Sequence, residues 1–431
     1  MITRTAGPTR DIDSKTEELQ LEETDRIMNT QTQTGEESFD VVVVGGGPAG
    51  STAALDLARA GRSVLLLDRG GRIKPCGGAV PPRLLEEFEV PESQLVAQVN
   101  CARMVSPSDR EVDMPINGFV GMVDREHFDE WLRSRAADAG AVRRTARFES
   151  IDHDEQGRTI VRYRTGSGRS DAESHSVATR VVIGADGARS EVARQSIPEA
   201  HSIPFVAAYH EIVSSPAQGE NDFDARRCDV YYQGKLSPDF YGWVFPHGDC
   251  TSVGVGTANK GFSMRAAVAE LRQNAGMENS TTIRREGAPI PLRTLKRWDN
   301  RRDVVLAGDA AGAVAPASGE GIYYAMFSGR LAGEAADEFC RSGNPKALRS
   351  ARRRFMKAHG RVFWILGLLQ RFWYISDKRR ERFVSICRDP DVQHLTWEAY
   401  MHKRLVRAKP LAHVRIFFKD LAHLLGIATE K

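Results

Sequence analysis

The sequence predicts an α/β fold in which a Rossmann-like domain, built from discontinuous segments, is joined to a second domain of α+β character. Residues 39–68 combine an apolar strand, a glycine-rich turn and a helix, as at the start of such a domain. Two later apolar strands, within residues 180–187 and 304–309, each run into a Gly and Asp pair. Between them, residues 203–290 alternate apolar, aromatic and turn residues, which predicts an antiparallel sheet.

The first segment reads FDVVVVGGGPAGSTAALDLARAGRSVLLLD, and its residues 41–44 are valines, as expected of a parallel strand buried on both faces. Gly45, Gly47 and Gly50 form G-x-G-x-x-G where the helix begins. They allow a tight turn, close approach of a pyrophosphate and close packing of helix on strand. Asp68 ends the second strand, placed to accept from a ribose 2′-hydroxyl. This order predicts a dinucleotide-binding unit rather than a glycine-rich turn of another α/β protein.

Length and composition restrict the class of protein. At 431 residues the chain is long enough for two or three domains, and 41% hydrophobic with 27% charged residues fits a soluble globular enzyme. Six scattered cysteines show neither C-x-x-C nor Cys/His spacing, so we expect no metal site and a reducing, cytoplasmic setting. We find no apolar signal-peptide region at the N-terminus, and the apolar run at 362–369 is too short to span a bilayer.

The charge is distributed unevenly along the chain. Residues 341–431 hold 21 Lys or Arg against 7 Asp or Glu, whereas residues 1–38 hold 4 against 9. The basic end indicates an anionic surface or substrate nearby. The acidic start is rich in Thr, Gln and Glu and is predicted to be disordered, and either Met1 or Met28 can be its first residue.

Three further stretches carry candidate chemistry. The loop at 74–78, KPCGG, forms an open turn suited to a flat ligand, or simply a surface turn. Asp186-Gly187 follows one buried strand and Gly308-Asp309 follows another; the alternatives are that Asp186 only makes a turn and that Asp309 only caps a helix. After the second strand, Gly319-Glu320-Gly321-Ile322 begins a helix whose N–H groups can stabilise a negatively charged reduced flavin.

Together these stretches favour FAD as the cofactor. Asp309 can bind a ribityl hydroxyl, which a nicotinamide dinucleotide does not possess. The sequence holds one complete G-x-G-x-x-G and no second, so we assign that fingerprint to FAD.

A family resemblance follows from these motifs. GGGPAG, GADGARS and AGDAAG…GEGI resemble the flavin fold shared by para-hydroxybenzoate hydroxylase and geranylgeranyl reductases. KPCGG and the stretch PDFYGWVFP at 238–246 resemble the reductase branch. Residues 361–425, with the core SDKRRERFVSICRDPDVQHLTWEAYMHKRLVRAKPLAHVRIFFKDL, look like members of the (bacterio)chlorophyll pathway. The resemblance covers roughly residues 39–426 and leaves out the acidic tail.

The resemblance implies an enzyme that uses FAD and NADPH to hydrogenate three of the four C=C bonds of a geranylgeranyl chain, giving phytyl. The chain can be carried as the diphosphate or as a pigment ester. Alternatives are a polyprenyl reductase of lipids or quinones, a flavin-dependent aromatic monooxygenase, and a non-catalytic flavoprotein scaffold. The sequence does not decide whether NADPH or NADH is the reductant, and it does not decide the oligomeric state. Nucleic-acid binding is disfavoured because apolar stripes interrupt the basic region.

The resemblance also implies site residues. The FAD-binding set is Gly45, Gly47, Pro48, Ala49, Gly50, Asp68, Arg69, Cys76, Gly77, Gly78, Arg125, Asp186, Gly187, Gly308, Asp309, Gly319, Gly321 and Ile322. Catalytic candidates are Cys76, Tyr241 and Trp243, and substrate-binding candidates are Tyr241, Trp243, Phe245 and Pro246. Cys76 contacts the flavin or takes part in protonation, or is a small buried hydrophobe. Tyr241 and His247 are weak candidates for the proton donor.

One stretch of the second domain supports the substrate set by its spacing. Tyr241, Trp243 and Phe245 alternate along a strand, share one face and either line an isoprenoid tunnel or fill an ordinary sheet core.

Domain boundaries and location complete the predictions. FAD-binding segments are expected at 39–100, 120–200 and 291–344, substrate-domain strands at 101–119 and 201–290, and a basic helical region at 345–431. In the last region, aromatic and aliphatic residues at 363–374 and 416–425 alternate with Arg and Lys. This pattern favours peripheral contact with the inner or photosynthetic membrane, docking of a pigment synthase, a basic mouth for a diphosphate, or a solvated helical cap.

Overall fold

A computed structural model describes residues 37–71, 73–166 and 172–403. The tail expected to be disordered, up to residue 36, and the apolar residues at 416–425 lie outside these ranges. The strands are β1 Ser38–Val44, β2 Val64–Asp68, β3 Ala79–Val80, β4 Ala97–Val105, β5 Glu111–Met122, β6 Val142–Thr145, β7 Arg147–His153, β8 Thr159–Thr165, β9 Glu173–Gly184, β10 Phe205–Ser214, β11 Arg227–Tyr231, β12 Gly242–His247, β13 Cys250–Thr257, β14 Thr282–Pro291 and β15 Val304–Leu306. The helices are α1 Pro48–Arg59, α2 Pro82–Glu87, α3 Arg125–Asp138, α4 Glu191–Ser196, α5 Met264–Asn274, α6 Ile322–Ser342, α7 Ser350–Trp373, α8 Asp377–Ile386 and α9 Pro390–His402.

The first sheet has seven strands in the order β6-β2-β1-β9-β8-β7, with β15 paired to β9. β1 lies between β2 and β9 and runs parallel to both, with Val41 opposite Val64 and Val181. Its four valines are buried, as expected of a central parallel strand that is covered on both faces. The carboxyl ends of β1, β9 and β15 therefore meet at one edge, where the first domain was predicted to bind its ligand.

The second sheet has eight strands in the order β14-β10-β13-β12-β11-β4-β5-β3. Its neighbours are antiparallel except β4 and β11, which run parallel; the strands β10 to β14, predicted as an antiparallel sheet, pair antiparallel with one another. The chain leaves this sheet after β5 and returns to it only at β10, and such a long excursion permits a parallel pair that a tight hairpin cannot form. The sheet takes its first long strand from Ala97 rather than from residue 101.

The C-terminal helices pack onto this second sheet. Tyr232 and Phe240 share a core cluster with Trp373 and Tyr374 at the end of α7. The buried Arg380 of α8 donates to the carbonyl of Tyr374 at 2.7 Å and also binds the carbonyl of Pro238. The region expected to be helical is helical up to residue 402, and it closes one side of the space between the two sheets.

No helix within the described residues is long and apolar enough to cross a membrane.

Candidate functional site

A cavity of about 310 Å³ lies between the carboxyl edge of the first sheet and one face of the second. One side, which we call the cofactor wall, is lined by Pro48, residues 74–78, Arg125, Asp309 and residues 319–322. The opposite side, the aromatic wall, is lined by Tyr232, Phe240, Tyr241, Trp243 and Phe245. Residues from the two predicted domains are thus brought together around one space.

The glycine-rich turn leaves the N-terminus of α1 open. A Cβ on Gly50 would lie 1.8 Å from the carbonyl oxygen of Gly45, so that position can hold only glycine if helix and strand are to stay packed. A Cβ on Gly47, by contrast, would meet no protein atom closer than 4.0 Å, and no side chain caps the helix there. Free N–H groups and the positive end of the helix dipole at this place fit a pyrophosphate.

Two acidic residues of the predicted set already have backbone partners. Asp68 accepts from the N–H of Gly46 at 2.7 Å and of Gly70 at 2.9 Å, and a carboxylate has further lone pairs for a ribose hydroxyl. Asp186 accepts from Ser190 Oγ at 2.5 Å and from the N–H of Glu191 at 2.6 Å, so it caps α4. It does not line the cavity, and its structural role is a helix cap, not the turn that the sequence offered as the alternative.

A second group of candidate cofactor-binding residues lies at the N-terminus of α6. The carboxylate of Asp309 binds Lys74 of the KPCGG loop. A Cβ on Gly321 would lie 3.8 Å from Asp309 Oδ1, so the loop, the strand end and the helix start converge. No side chain caps α6, a helix of 21 residues, so its first N–H groups face the cavity. A carboxylate for hydroxyls beside an uncapped helix N-terminus fits the ribityl chain and ring of FAD.

Cys76 and Arg125 also meet at the cavity. Arg125 is buried and binds Asp129 through two hydrogen bonds of 2.7 and 2.6 Å, while its guanidinium also reaches the Cys76 thiol. Burial alone lowers the pKa of Arg125, but Asp129 outweighs it, so the pKa lies above the usual value and the charge is permanent. The ring of Phe245 lies against Gly77, where a Cβ would be 2.9 Å away.

The aromatic wall is held by hydrogen bonds at its edges. Tyr241 donates its hydroxyl to the carbonyl of Ser318 at 2.5 Å, which ties this wall to the loop before α6. Trp243 Nε1 donates to Ser252 Oγ at 3.1 Å, and Ser252 also bonds His210 at 2.8 Å. The indole lies flat over Gly254, where a Cβ would be 2.3 Å from the ring. These contacts fix the rings facing the cavity.

Two candidates are placed elsewhere. Pro246 does not line the cavity, because successive residues of β12 alternate between faces and the cavity side belongs to Trp243 and Phe245. His247 is also outside the lining; its Nδ1 bonds the carbonyl of Phe245 at 2.9 Å and burial lowers its pKa. We therefore withdraw Pro246 as a substrate contact and His247 as a proton donor.

Several cavity residues were missed by the sequence analysis. They are His210, Gly254 behind Trp243, Glu320, Trp397 and Tyr400, with Lys403 behind Glu320. Glu320 stands within a motif already singled out, so its position between two cavity glycines was a usable signal. The others come from strands and a helix far apart in sequence, and no local pattern links them.

Comparison with known proteins gives consistent results. Residues 40–99 match the family described as FAD dependent oxidoreductase. The geranylgeranyl diphosphate reductase of Rhodobacter capsulatus is 56% identical over 390 residues, covering 90% of this chain and 98% of the relative. The chloroplastic geranylgeranyl diphosphate reductase of Oryza sativa is 36% identical, covering 89% of this chain and 86% of the relative. A geranylgeranyl bacteriochlorophyll reductase-like crystal structure from Thermoplasma acidophilum shares the fold, with TM-score 0.75, 23% identity and coverage of 88% and 100%.

Proposed function

The chain belongs to the geranylgeranyl reductase family of FAD-dependent oxidoreductases, and from this membership we propose that it hydrogenates a geranylgeranyl chain to phytyl in (bacterio)chlorophyll synthesis. The substrate is geranylgeranyl diphosphate or the geranylgeranyl ester of the pigment, three of whose four C=C bonds are reduced. The electrons come from NADPH. The observation that carries this proposal is an apolar, ring-lined cavity that opens directly onto the cofactor wall.

Different residues of the cofactor wall bind different parts of FAD in this proposal. The open N-terminus of α1 receives the pyrophosphate and Asp68 the adenosine ribose, while Asp309 accepts from the ribityl hydroxyls. The N-terminus of α6 and the Lys74 ammonium offer positive charge to the ring, which favours its anionic reduced form. Bound there, FAD supplies hydride chemistry.

The aromatic wall binds the hydrocarbon part of the substrate, the geranylgeranyl chain, in this proposal. Isolated alkenes carry no polar group for recognition, so affinity has to come from apolar contact and exclusion of water. Tyr241, Trp243 and Phe245 supply flat surfaces for such a chain, and Cys101, Cys228 and Val230 continue the apolar lining. Cys76, next to Arg125, lies on the cofactor wall where it meets the aromatic wall, so a bound flavin ring and a bound chain would both lie within its reach.

The experiment is an anaerobic incubation of the purified protein with NADPH and each candidate substrate, followed by mass analysis of the isoprenoid tails. We expect stepwise gains of two hydrogens per reduced bond. The comparison of diphosphate and pigment ester identifies the preferred carrier. A flavin that NADPH reduces while every geranylgeranyl tail stays unchanged would contradict the substrate.

The same incubation separates the rival functions of the fold. A monooxygenase would consume oxygen together with NADPH and give a hydroxylated ring, whereas a scaffold would leave its flavin reduced. A lipid or quinone reductase would prefer those polyprenyl compounds to the pigment or the diphosphate.

We further propose that the protein associates with the surface of the photosynthetic membrane through α7, and that a pigment synthase acts beside it there. Trp364 and Leu368, one turn apart, are 70% and 53% exposed, and Ile375 beyond the helix end is 66% exposed. Arg361 and Arg371 stand exposed on the same helix. Apolar side chains flanked by cations suit the boundary of an anionic bilayer.

A flotation assay with anionic and neutral vesicles tests this membrane contact. We expect binding to anionic vesicles at low salt, weakened by salt and by Trp364→Glu, with no change in flavin content. The control is Arg302→Glu, an exposed position at the opposite end of the first sheet. A protein that floats with neither vesicle would contradict the contact.

A further inference from the structure

Two carboxylate–ammonium pairs stand at the cavity, and they differ in exposure. In the Lys74–Asp309 pair the lysine side chain is 39% exposed. In the Lys403–Glu320 pair the lysine is 0% and the glutamate 8% exposed. Burying the two charges carries a large desolvation penalty for each ion. Only a well-placed ion pair offsets that penalty. The Lys403–Glu320 pair therefore carries the larger desolvation penalty of the two, and it lies beside an apolar cavity.

The surroundings of Lys403 hold its ammonium in place. Its Nζ lies 4.4 Å from the ring centre of Tyr400 and within 5.4 Å of those of Tyr323 and Tyr324. Arg83 donates to the carbonyl of His402 at 2.5 Å and so fixes the end of α9. Lys403 itself has φ of 54°, a left-handed conformation that costs a side-chain residue about 1 kcal/mol. Such strain persists where the surrounding structure enforces it, often at functional sites.

Glu320 stands between this ammonium and the cavity. It lines the cavity, and its neighbours Gly319 and Gly321 belong to the cofactor wall. Burial raises the pKa of the Glu320 carboxyl, an effect that Lys403 opposes, and burial lowers the pKa of Lys403, which Glu320 opposes. Both shifts bring the two groups towards sharing a proton.

Three other polar groups that line the cavity are bound to protein partners. Tyr241 directs its hydroxyl proton to the carbonyl of Ser318. His210 has partners at both ring nitrogens, Ser252 at 2.8 Å and Glu286 at 2.9 Å. Asp309 is bound to Lys74 and was assigned to the ribityl chain. Glu320 differs from these because a buried ammonium stands directly behind it.

We propose that Glu320 is the catalytic acid that protonates the alkene, and that Lys403 is the positioning residue that supplies its proton. This inference rests on the proposed function. For each double bond the π bond breaks, one carbon forms a C–H bond with the proton from Glu320, and the other takes a hydride, which bound FAD reduced by NADPH would supply. The Lys403 ammonium gives up one proton, so the pair ends as carboxylate and neutral amine and is reprotonated from solvent.

The test compares the double variant Glu320→Gln/Lys403→Met with wild type. Removing one partner alone leaves an unpaired buried charge and is strongly destabilising, whereas replacing both is often neutral or stabilising. The double variant should therefore fold and bind FAD normally. The matched control is Lys235→Met/Glu270→Gln, which removes a surface pair whose side chains are 51% and 41% exposed.

Three readouts are measured: anaerobic reduction of the bound flavin by NADPH, turnover of the geranylgeranyl chain, and the pH profile of that turnover. In the double variant we expect normal flavin reduction and turnover lower by roughly 100-fold or more, the usual contribution of a general acid. Wild-type turnover should fall as the pH rises through the pKa at which the pair loses its proton. The remaining turnover of the double variant should lack that decline.

The pair does not titrate in isolation. The charged or titratable groups that surround it are Arg83 from α2, Tyr241 from the aromatic wall, Tyr323 and Tyr324 from α6, His359 from α7 and Tyr400 from α9. Burial raises the pKa of all four tyrosines and lowers that of His359 to about 4, so neither the tyrosines nor His359 changes charge in the neutral range.

Infrared difference spectra of wild type against the double variant keep the two proposals distinguishable. We expect the Glu320 carboxylate band to change at a pH below the ordinary lysine value of about 10.4, and not in the double variant. If wild type reduces no geranylgeranyl chain, the proposed function fails, and this titration alone still supports or overturns the shared proton. Wild-type turnover and pH profile in the double variant, or a band that does not change below that pH, would overturn the inference.

Discussion

The cofactor wall and the aromatic wall face the same cavity but present different chemical groups to it. The cofactor wall presents backbone N–H groups at two uncapped helix N-termini, together with Lys74 and Asp309. The aromatic wall presents rings held at their edges, such as Trp243 over Gly254. The first suits a charged nucleotide, whose oxygens need donors, and the second a hydrocarbon, which needs area and dryness. A change in one wall should therefore affect one ligand and leave the other largely alone.

The largest expected effect comes from the glycine-rich turn. Gly50→Ala forces a Cβ to within 1.8 Å of a carbonyl oxygen, so helix and strand must separate, and both flavin content and melting temperature should fall steeply. Gly47→Ala meets no protein atom closer than 4.0 Å, so flavin should be lost while the melting temperature of the apoprotein stays unchanged. Visible flavin absorbance per protein and a thermal melt measure both. Full flavin content in Gly47→Ala would show that no pyrophosphate approaches there.

An intermediate effect is expected from the support of the aromatic wall. Gly254→Ala places a Cβ 2.3 Å from the Trp243 ring and pushes the indole into the cavity. Turnover of the geranylgeranyl chain should fall about tenfold or more, since displaced rings lose well over 1.4 kcal/mol of contact, whereas flavin content should stay the same. Gly261→Ala, whose Cβ would have only Asn259 nearby at 3.7 Å, is the control. Equal turnover in both variants would remove Trp243 from substrate binding.

The smallest effect is expected at the ion pair of the cofactor wall. Asp309→Asn keeps the shape but releases Lys74, whose side chain is partly in solvent and therefore well screened. Flavin affinity should weaken by roughly fivefold, the effect of about 1 kcal/mol in one charged hydrogen bond. Titration of the apoprotein with FAD measures it. Turnover at saturating FAD should be near that of wild type, and a collapse of turnover there would mean that Asp309 acts on the substrate as well.

The difference between the walls also decides what the sequence could reveal. Gly45, Gly47 and Gly50 act through the backbone within six residues, so their spacing alone predicts the turn, the helix start and the cofactor. The central strands β1, β2, β9 and β15 were predictable for the same reason, because each of them carries an apolar run followed closely by Asp or Gly. The family resemblance implied the same fold and, in addition, the reduction of a geranylgeranyl chain as the reaction.

The parts that could not be predicted depend on register and on distant contacts. Pro246 was grouped with its neighbours because it belongs to the same motif, but the strand turns it away from the cavity. The pairing of Glu320 with Lys403 joins a loop before α6 to the residue after α9, and nothing local in the sequence relates them. The parallel pair of β4 and β11 likewise follows from the path of the chain.

The most direct measurement is the reoxidation of flavin in the absence of oxygen. The holoprotein is reduced with one equivalent of NADPH under anaerobic conditions and mixed with geranylgeranyl diphosphate or the pigment ester, while the visible spectrum is recorded. We predict that the oxidised flavin spectrum returns with formation of one saturated bond per flavin. A flavin that stays reduced with both substrates until oxygen is admitted would contradict the proposal that the aromatic wall presents a geranylgeranyl chain to the cofactor wall.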